Sequence, residues 1–130
     1  MIPVTTKGTA TILVIEDYEM VMDMTRAVLE ELGYRVLGAK TGKEAIDIAK
    51  TFDGDIDLAI LHVSLPDMGG KEVYPLIMEA RPDLKVIVYS VYPVDGIPQE
   101  ILDAGAEDFI RKPFIIAELS EKLKKVLEGK

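Results

Sequence analysis

Short apolar runs alternate along the chain with segments in which apolar residues recur every three or four positions. Such continuous runs are typical of strands buried on both faces of a parallel sheet. We predict strands over 12–15, 34–39, 57–62, 85–90 and 108–110. The segments that follow each strand have helical spacing. Five strands alternating with five helices indicate an α/β fold with a doubly wound parallel sheet.

Helix boundaries are predicted from spacing and capping residues. The first helix ends at Gly33, and its apolar positions are Val21, Met24, Val28 and Leu32. A second helix should open at Thr41-Gly42-Lys43-Glu44, which has the pattern of a capping box. The last helix has an amphipathic pattern with apolar residues at Ile116, Leu119, Leu123, Val126 and Leu127.

Two more helices are predicted between the third and fifth strands. One runs from about Gly70 to Ala80 and contains Pro75, a residue that can kink a helix. The other is short. It begins near Pro98, which suits a first helical turn, and its C-terminal cap is Gly105.

Composition and charge narrow the classes of function. With 130 residues, 48% of them hydrophobic, the chain has the size of one compact domain, and we expect a flexible lead-in over 1–10 and a domain over 11–130. Its formal net charge of -8 would repel nucleic acid and anionic lipid, so no direct contact with either is expected. The absence of cysteine excludes disulfides and thiolate metal sites and agrees with a cytoplasmic location.

Polar side chains lie at the carboxyl ends of four predicted strands. Glu16 and Asp17 follow the first strand, and His62 ends the third. Ser90 ends the fourth, and Lys112 follows the fifth. Because neighbouring strands are roughly 5 Å apart, these groups could converge on the crevice where open α/β sheets bind ligands. Two carboxylates suit Mg²⁺, while a hydroxyl and an ammonium group suit an anionic oxygen group.

The chain resembles the receiver domain of two-component response regulators over essentially residues 11–129. The order and spacing of several segments carry the resemblance: ILVIED (12–17), DLAIL (57–61) followed by LPDMGG (65–70), VIVYS (86–90) and AGAEDFIRKPF (104–114). It implies a role in phosphorelay signal transduction. It also implies a CheY-like, flavodoxin-like (βα)5 three-layer sandwich with strand order 2-1-3-4-5.

The resemblance also assigns roles to the residues at the strand ends. It implies that Glu16 and Asp17 match the acidic pair that helps to hold Mg²⁺. Ser90 and Lys112 match the groups that contact the phosphoryl oxygens. Phe109 matches the aromatic switch residue. The resemblance further implies a cis peptide bond between residues 112 and 113.

His62 stands where the family has the aspartate that accepts the phosphoryl group. A carboxylate both binds Mg²⁺ and forms an acyl phosphate, whereas imidazole is a poorer Mg²⁺ ligand and gives only a phosphoramidate. We therefore expect the usual phosphorylation to be lost and Mg²⁺ binding to be weak or absent. Val91, where the family usually has a small residue, should further narrow access to the site.

Three interpretations of His62 are open. We favour an internal cation, in which the imidazolium pairs with Glu16 or Asp17 in place of a metal. A second interpretation is a softer metal such as Zn²⁺, Mn²⁺ or Ni²⁺, bound by His62 together with both carboxylates. A third is phosphorylation of His62 itself, which would require more exposure than a strand end narrowed by Val91 offers.

The leading functional hypothesis is a pseudo-receiver, a non-enzymatic signalling module that acts through protein–protein contacts as a monomer or weak dimer. Its partner would be a histidine kinase or a downstream effector. The resemblance nominates Tyr92, Phe109 and Arg111 for the partner face. Tyr89 and Tyr92 are interpreted as partly surface-directed and so as further candidates for such a face.

A flavodoxin-like cofactor binder or small enzyme on the same architecture is the competing hypothesis. Phosphate binding after the first strand would require a loop rich in hydrogen-bond donors. The chain instead has Glu16-Asp17-Tyr18-Glu19 at that point, and its carboxylates would repel a phosphate. Flavin and nucleotide cofactors are therefore not expected.

Overall fold

The computed structural model describes residues 10–63, 65–90, 97–111 and 116–128, with only the backbone at residues 90, 97, 98, 111, 116 and 117. Residues 1–9 of the predicted lead-in lie outside the described part of the chain. The strands are β1 (Thr11–Ile15), β2 (Arg35–Ala39), β3 (Leu58–His62), β4 (Lys85–Ser90) and β5 (Asp108–Arg111). The helices are α1 (Glu19–Glu31), α2 (Gly42–Thr51), α3 (Gly70–Ala80), α4 (Ile97–Asp103) and α5 (Ile116–Leu127).

The five strands form one parallel sheet in the order β2-β1-β3-β4-β5. This confirms the doubly wound sheet and the predicted strand order. Ile15 is the register partner of Leu61 on β3, and His62 is the partner of Tyr89 on β4. Because all the strands run in one direction, their carboxyl ends meet at a single edge of the sheet.

Apolar layers cover both faces of the sheet. Leu13 and Ile15 pack into a core cluster with residues of α2, α3 and α4. Ile12 and Val14, which point to the other face, pack with residues of α1 and α5. All four side chains are fully buried, which explains why the strand is a continuous apolar run rather than an alternating one. A strand held on both faces fixes the position of the residues that follow it.

The predicted first helix is present as α1, but two of the apolar positions that indicated it are not buried. Met24 is 51% exposed, and Leu32 is 37% exposed and lies past the end of the helix as its C-cap. The buried positions are instead Met22, Thr25 and Leu29, which have the spacing of one helical face. Hydropathy alone does not locate this buried face, because its central residue is a threonine and because two methionines of the same helix are exposed.

Helix α2 begins at the predicted place, with one difference in its capping. The Thr41 side chain accepts a hydrogen bond from the Glu44 N–H at 3.0 Å, as the capping box requires. The Glu44 carboxylate, however, accepts from the Lys40 N–H at 2.6 Å, one residue before the expected donor. A further cap comes from Asp67, whose carboxylate oxygens accept from the N–H groups of Gly42 and Lys43 at 2.8 and 2.9 Å. The segment between β3 and α3 is therefore tied to the start of α2.

Both helices predicted between β3 and β5 are present. Helix α3 continues through Pro75, and α4 is followed by Gly105 with a φ of 130°. Within the described ranges, no helix combines the length and the apolar character needed to cross a bilayer.

Candidate functional site

Two neighbouring strands bring the predicted acidic pair and the histidine together. Glu16 directly follows β1, and its N–H donates to the Ala39 carbonyl at 2.9 Å, so the pairing of β1 with β2 extends to this residue. His62 is the last residue of β3, the strand on the other side of β1. Asp17 follows Glu16 at the turn toward α1. The strand ends thus place two carboxylates beside one imidazole.

One ring nitrogen of His62 faces both carboxylates. His62 Nδ1 lies 3.4 Å from Glu16 Oε2 and 3.3 Å from Asp17 Oδ1. Donor atoms of the three residues all lie within 4.8 Å of one another. The three residues form what we call the Glu16–Asp17–His62 cluster.

Burial differs steeply across this cluster. The side chain of Glu16 is fully buried, that of His62 is 16% exposed and that of Asp17 is 39% exposed. Glu16 Oε2 also accepts a hydrogen bond from the Tyr18 N–H at 3.0 Å, which orients its carboxylate. A small ion or a water molecule can therefore approach from the Asp17 side, while Glu16 forms the inner wall.

Tyr89 closes the site on the side away from β1. The prediction that it is partly surface-directed was wrong, because the residue is only 2% exposed. Its ring centroid lies 5.9 Å from that of His62, with the planes tilted by 57°. Burial raises the pKa of the Tyr89 phenol, the Glu16 carboxylate raises it further, and a side-chain contact with Thr25 acts in the opposite direction. The phenol is therefore a neutral group beside the imidazole. Sequence alone missed it because a tyrosine next to a strand end is as compatible with the surface as with the core.

The remaining predicted site residues are described only in part. Ser90 and Arg111 are register partners on β4 and β5, and the structure gives their backbone alone. Phe109 is half-buried and packs against the core cluster on the α2–α4 side of the sheet. Lys112, Tyr92 and Val91, and the peptide bond after Lys112, lie outside the described residues.

Asp67, the other acidic residue near the end of β3, is engaged elsewhere. The two N–H groups that it caps lower the pKa of its carboxyl group. Asp67 thus ties the turn after β3 to the start of α2, a contact that could not be foreseen from local sequence because 25 residues separate Asp67 from Gly42.

The donor atoms of the cluster define which ions it can hold. Mg²⁺ is a hard cation that prefers oxygen ligands in octahedral geometry. The Glu16–Asp17–His62 cluster supplies one nitrogen and two carboxylates, and a nitrogen is a poorer ligand for Mg²⁺ than an oxygen. Imidazole together with carboxylates is instead a ligand set used by Zn²⁺ and other transition metals.

Comparison with known proteins relates this arrangement to a family. The model of the response regulator receiver domain matches residues 12–124. The chain is 33% identical over 116 residues to the chemotaxis protein CheY of Thermotoga maritima, covering 88% of this chain and 95% of that protein. It is 31% identical over 121 residues to the sensor kinase CckA of Brucella abortus, covering 93% of this chain. The chain spans only 13% of the length of that kinase.

Solved structures are similar over nearly the whole chain. A CheY-like response regulator receiver domain protein from Methanospirillum hungatei JF-1 has a TM-score of 0.85 and 32% identity, covering 92% of this chain and 94% of that one. The response regulator TrrA from Thermotoga maritima, in complex with Mg²⁺-BeF, has a TM-score of 0.78 and 31% identity, covering 91% and 99%. Mg²⁺ is thus present in a structural neighbour whose fold matches that of this chain.

Proposed function

The chain belongs to the response regulator receiver family, and we propose that it is a pseudo-receiver, a signalling module that is not phosphorylated on the usual aspartate. It acts through protein–protein contacts rather than as an enzyme. Its position in two-component signalling follows from the family. The loss of aspartyl phosphorylation is the part that is particular to this chain.

The position of His62 carries the proposal. It ends β3, where the family has its acceptor aspartate, and its Nδ1 lies 3.3 to 3.4 Å from two carboxylate oxygens. An imidazole has no carboxylate oxygen with which to form an acyl phosphate. The reaction that ordinarily switches a receiver therefore has no acceptor at this position.

The surroundings of His62 also argue against its own phosphorylation. Only 16% of its side chain is exposed, and its Nδ1 faces Glu16 and Asp17. Two carboxylates beside the imidazole repel an incoming phosphoryl anion. We therefore propose that His62 itself is not phosphorylated.

The proposed binding partner of the module is a protein, either a histidine kinase or a downstream effector. A formal net charge of -8 disfavours nucleic acid as a direct partner. We keep Tyr92, Phe109 and Arg111 as the proposed partner face, with the protein acting as a monomer or weak dimer. Of these three, Phe109 has a described side chain, and its half-burial leaves part of the ring available for contact.

A phosphorylation assay tests the proposal. The native chain, His62→Asp and the matched control His62→Asn are incubated with Mg²⁺ and a small phosphodonor and are weighed by intact mass spectrometry. We expect one phosphoryl group on His62→Asp and none on the native chain or on His62→Asn. A phosphoryl group mapped to any residue of the native chain would contradict the proposal. If His62→Asp also stays unmodified, His62 is not what prevents phosphorylation.

A further inference from the structure

We propose that the Glu16–Asp17–His62 cluster binds a divalent transition-metal ion of the Zn²⁺ class, in place of the Mg²⁺ found in a structural neighbour. The ligands are Nδ1 of His62 and one carboxylate oxygen each from Glu16 and Asp17. The proposal names the ligand of the same site and rests on the proposed function, because both require that His62 has replaced the acceptor carboxylate.

Two of the distances within the cluster fit a tetrahedral ion, and the three donor atoms all lie within 4.8 Å of one another. His62 Nδ1 lies 3.4 Å from Glu16 Oε2 and 3.3 Å from Asp17 Oδ1. Ligand bonds of about 2.0–2.1 Å place neighbouring tetrahedral ligands about 3.3–3.4 Å apart. The same bond lengths in octahedral geometry, as for Mg²⁺, place adjacent ligands only about 2.9 Å apart. The two separations from His62 therefore match the edge of a tetrahedral site.

An internal ion pair, the interpretation favoured from the sequence, fits these distances less well. Charge-assisted N–H···O bonds between an imidazolium and a carboxylate are about 2.7–2.9 Å long. Both separations exceed that range by several tenths of an ångström. Two similar separations of this length leave room for an ion between the three donors.

The positions of the ligands also suit binding from solution. Glu16 is fully buried, and the Tyr18 N–H holds its carboxylate in place, which limits reorganisation on binding. Asp17, with 39% of its side chain exposed, lies on the solvent side and can meet an entering ion. Three protein ligands leave a fourth tetrahedral position for water, as in zinc sites that are not closed.

The choice of metal follows from the donor set. One nitrogen and two oxygens suit Zn²⁺, Co²⁺ and Ni²⁺ better than Mg²⁺, which binds through oxygen and keeps much of its water. The chain has one histidine and no cysteine. His62 is consequently the only imidazole that can report on, or compete for, a transition metal in this protein.

NMR of the single histidine tests the proposal on the unmodified sequence. Tag-free protein labelled with ¹⁵N is titrated with Zn²⁺ and, separately, with Mg²⁺, while the imidazole nitrogens are observed. We expect one equivalent of Zn²⁺ to shift the Nδ1 resonance strongly and Mg²⁺ to leave it near its starting position. Imidazole signals that do not respond to Zn²⁺, or that respond at Nε2 alone, overturn the proposal.

Calorimetry on variants gives an independent test. Loss of a group that only supports a ligand already lowers metal affinity about 10- to 100-fold, so removing the ligand in His62→Ala should lower Zn²⁺ affinity by at least about 10-fold. His62→Asp should raise Mg²⁺ affinity and reduce the preference for Zn²⁺ over Mg²⁺. The control Glu19→Gln removes an exposed carboxylate of α1 near the site and should change neither the Zn²⁺ affinity nor the Mg²⁺ affinity.

Co²⁺ reports the coordination number. Four-coordinate Co²⁺ absorbs visible light much more strongly than octahedral Co²⁺, so the native chain should give an intense band that Zn²⁺ abolishes by displacement. A pale octahedral spectrum, or Zn²⁺ affinity that is the same in the native chain and in folded His62→Ala, would overturn the proposal. Neither result bears on the phosphoryl mass assay, so the proposed function and the metal site can fail separately.

Discussion

His62 and Tyr89 are register partners at the carboxyl ends of β3 and β4, and their ring centroids lie 5.9 Å apart. The imidazole is therefore bounded by a buried phenol on one side and by the carboxylates of Glu16 and Asp17 on the other. This contact joins the candidate site to the core cluster beneath α1 and α5, of which Tyr89 is a member.

Tyr89→Phe should make the folded protein less sensitive to alkaline pH. Burial, together with the Glu16 carboxylate, raises the pKa of Tyr89 above its ordinary value of 10.0. The unfolded chain therefore loses this proton first, and stability falls as the pH rises above 10. Phenylalanine has no such proton. Urea unfolding at neutral pH and at several higher pH values should show a shallower loss of unfolding free energy in the variant.

The matched control for Tyr89 is Tyr18→Phe, at a tyrosine that is 57% exposed. Burial also raises the pKa of Tyr34 and Tyr74, so some alkaline sensitivity will persist in Tyr89→Phe. Identical alkaline slopes for Tyr89→Phe and the native chain would show that the buried phenol does not contribute.

Asp67→Ala should destabilise the protein and flatten its acid unfolding profile. The N–H groups of Gly42 and Lys43 lower the pKa of this carboxyl below its ordinary value of 3.8. Its contribution is thus fully present above that value and is lost as the pH falls through the folded pKa. Thermal unfolding between neutral and acid pH measures the effect. Asp47→Ala, at an exposed residue of α2, is the control and should keep the native acid profile.

Arg81→Lys should lower stability although it keeps the positive charge. The guanidinium donates to the carbonyls of Ala49, Gly54 and Phe52 at 2.7, 2.7 and 2.6 Å, which joins the end of α3 to the end of α2. A lysine ammonium cannot reproduce this fork, and the loss of such bonds should cost about 1–3 kcal/mol in unfolding free energy.

Chemical denaturation measures the effect of Arg81→Lys. The control is Arg26→Lys, because the contacts of Arg26 with other described residues are limited to a 3.4 Å contact with a carbonyl and a 3.9 Å ion pair. We expect the control to change the unfolding free energy by no more than about 0.5 kcal/mol. Equal effects at both positions would rule out a special role for the three carbonyl contacts.

Gly105→Ala should be destabilising for two separable reasons. Gly105 has a φ of 130°, which strains a residue with a side chain, and an added Cβ would lie 2.8 Å from the Tyr74 hydroxyl oxygen. We expect a loss of about 1–3 kcal/mol in unfolding free energy. In a double-mutant cycle, Tyr74→Phe should remove the part of this loss that comes from the contact with the hydroxyl oxygen. The part that comes from backbone strain at residue 105 should remain. Gly69→Ala, where the nearest atoms are 3.9 Å away, is the control and should be tolerated.

Much of the fold was predictable because strands, turns and helix ends are indicated by residues that are close together in the sequence. A strand buried on both faces must be apolar at every position, and the run that ends at His62 shows this directly. Turn chemistry likewise located Thr41 at the start of α2 and Gly105 after α4. The phase of α1 was not predictable, because burial of Thr25 and exposure of Met24 depend on which neighbouring elements cover the helix.

The architecture and the chemical identity of the groups at the strand ends, including the histidine that ends β3, could be read from the order of residues alone. The way in which those groups meet depends on the folded chain: the two similar distances from His62 to Glu16 and Asp17, the burial of Tyr89, and the contact of Asp67 with α2. The physical reason is that strand and turn preferences act over a few residues. The contact distance between groups as far apart in the chain as Glu16 and His62 is set by the packing of the whole sheet and its helices.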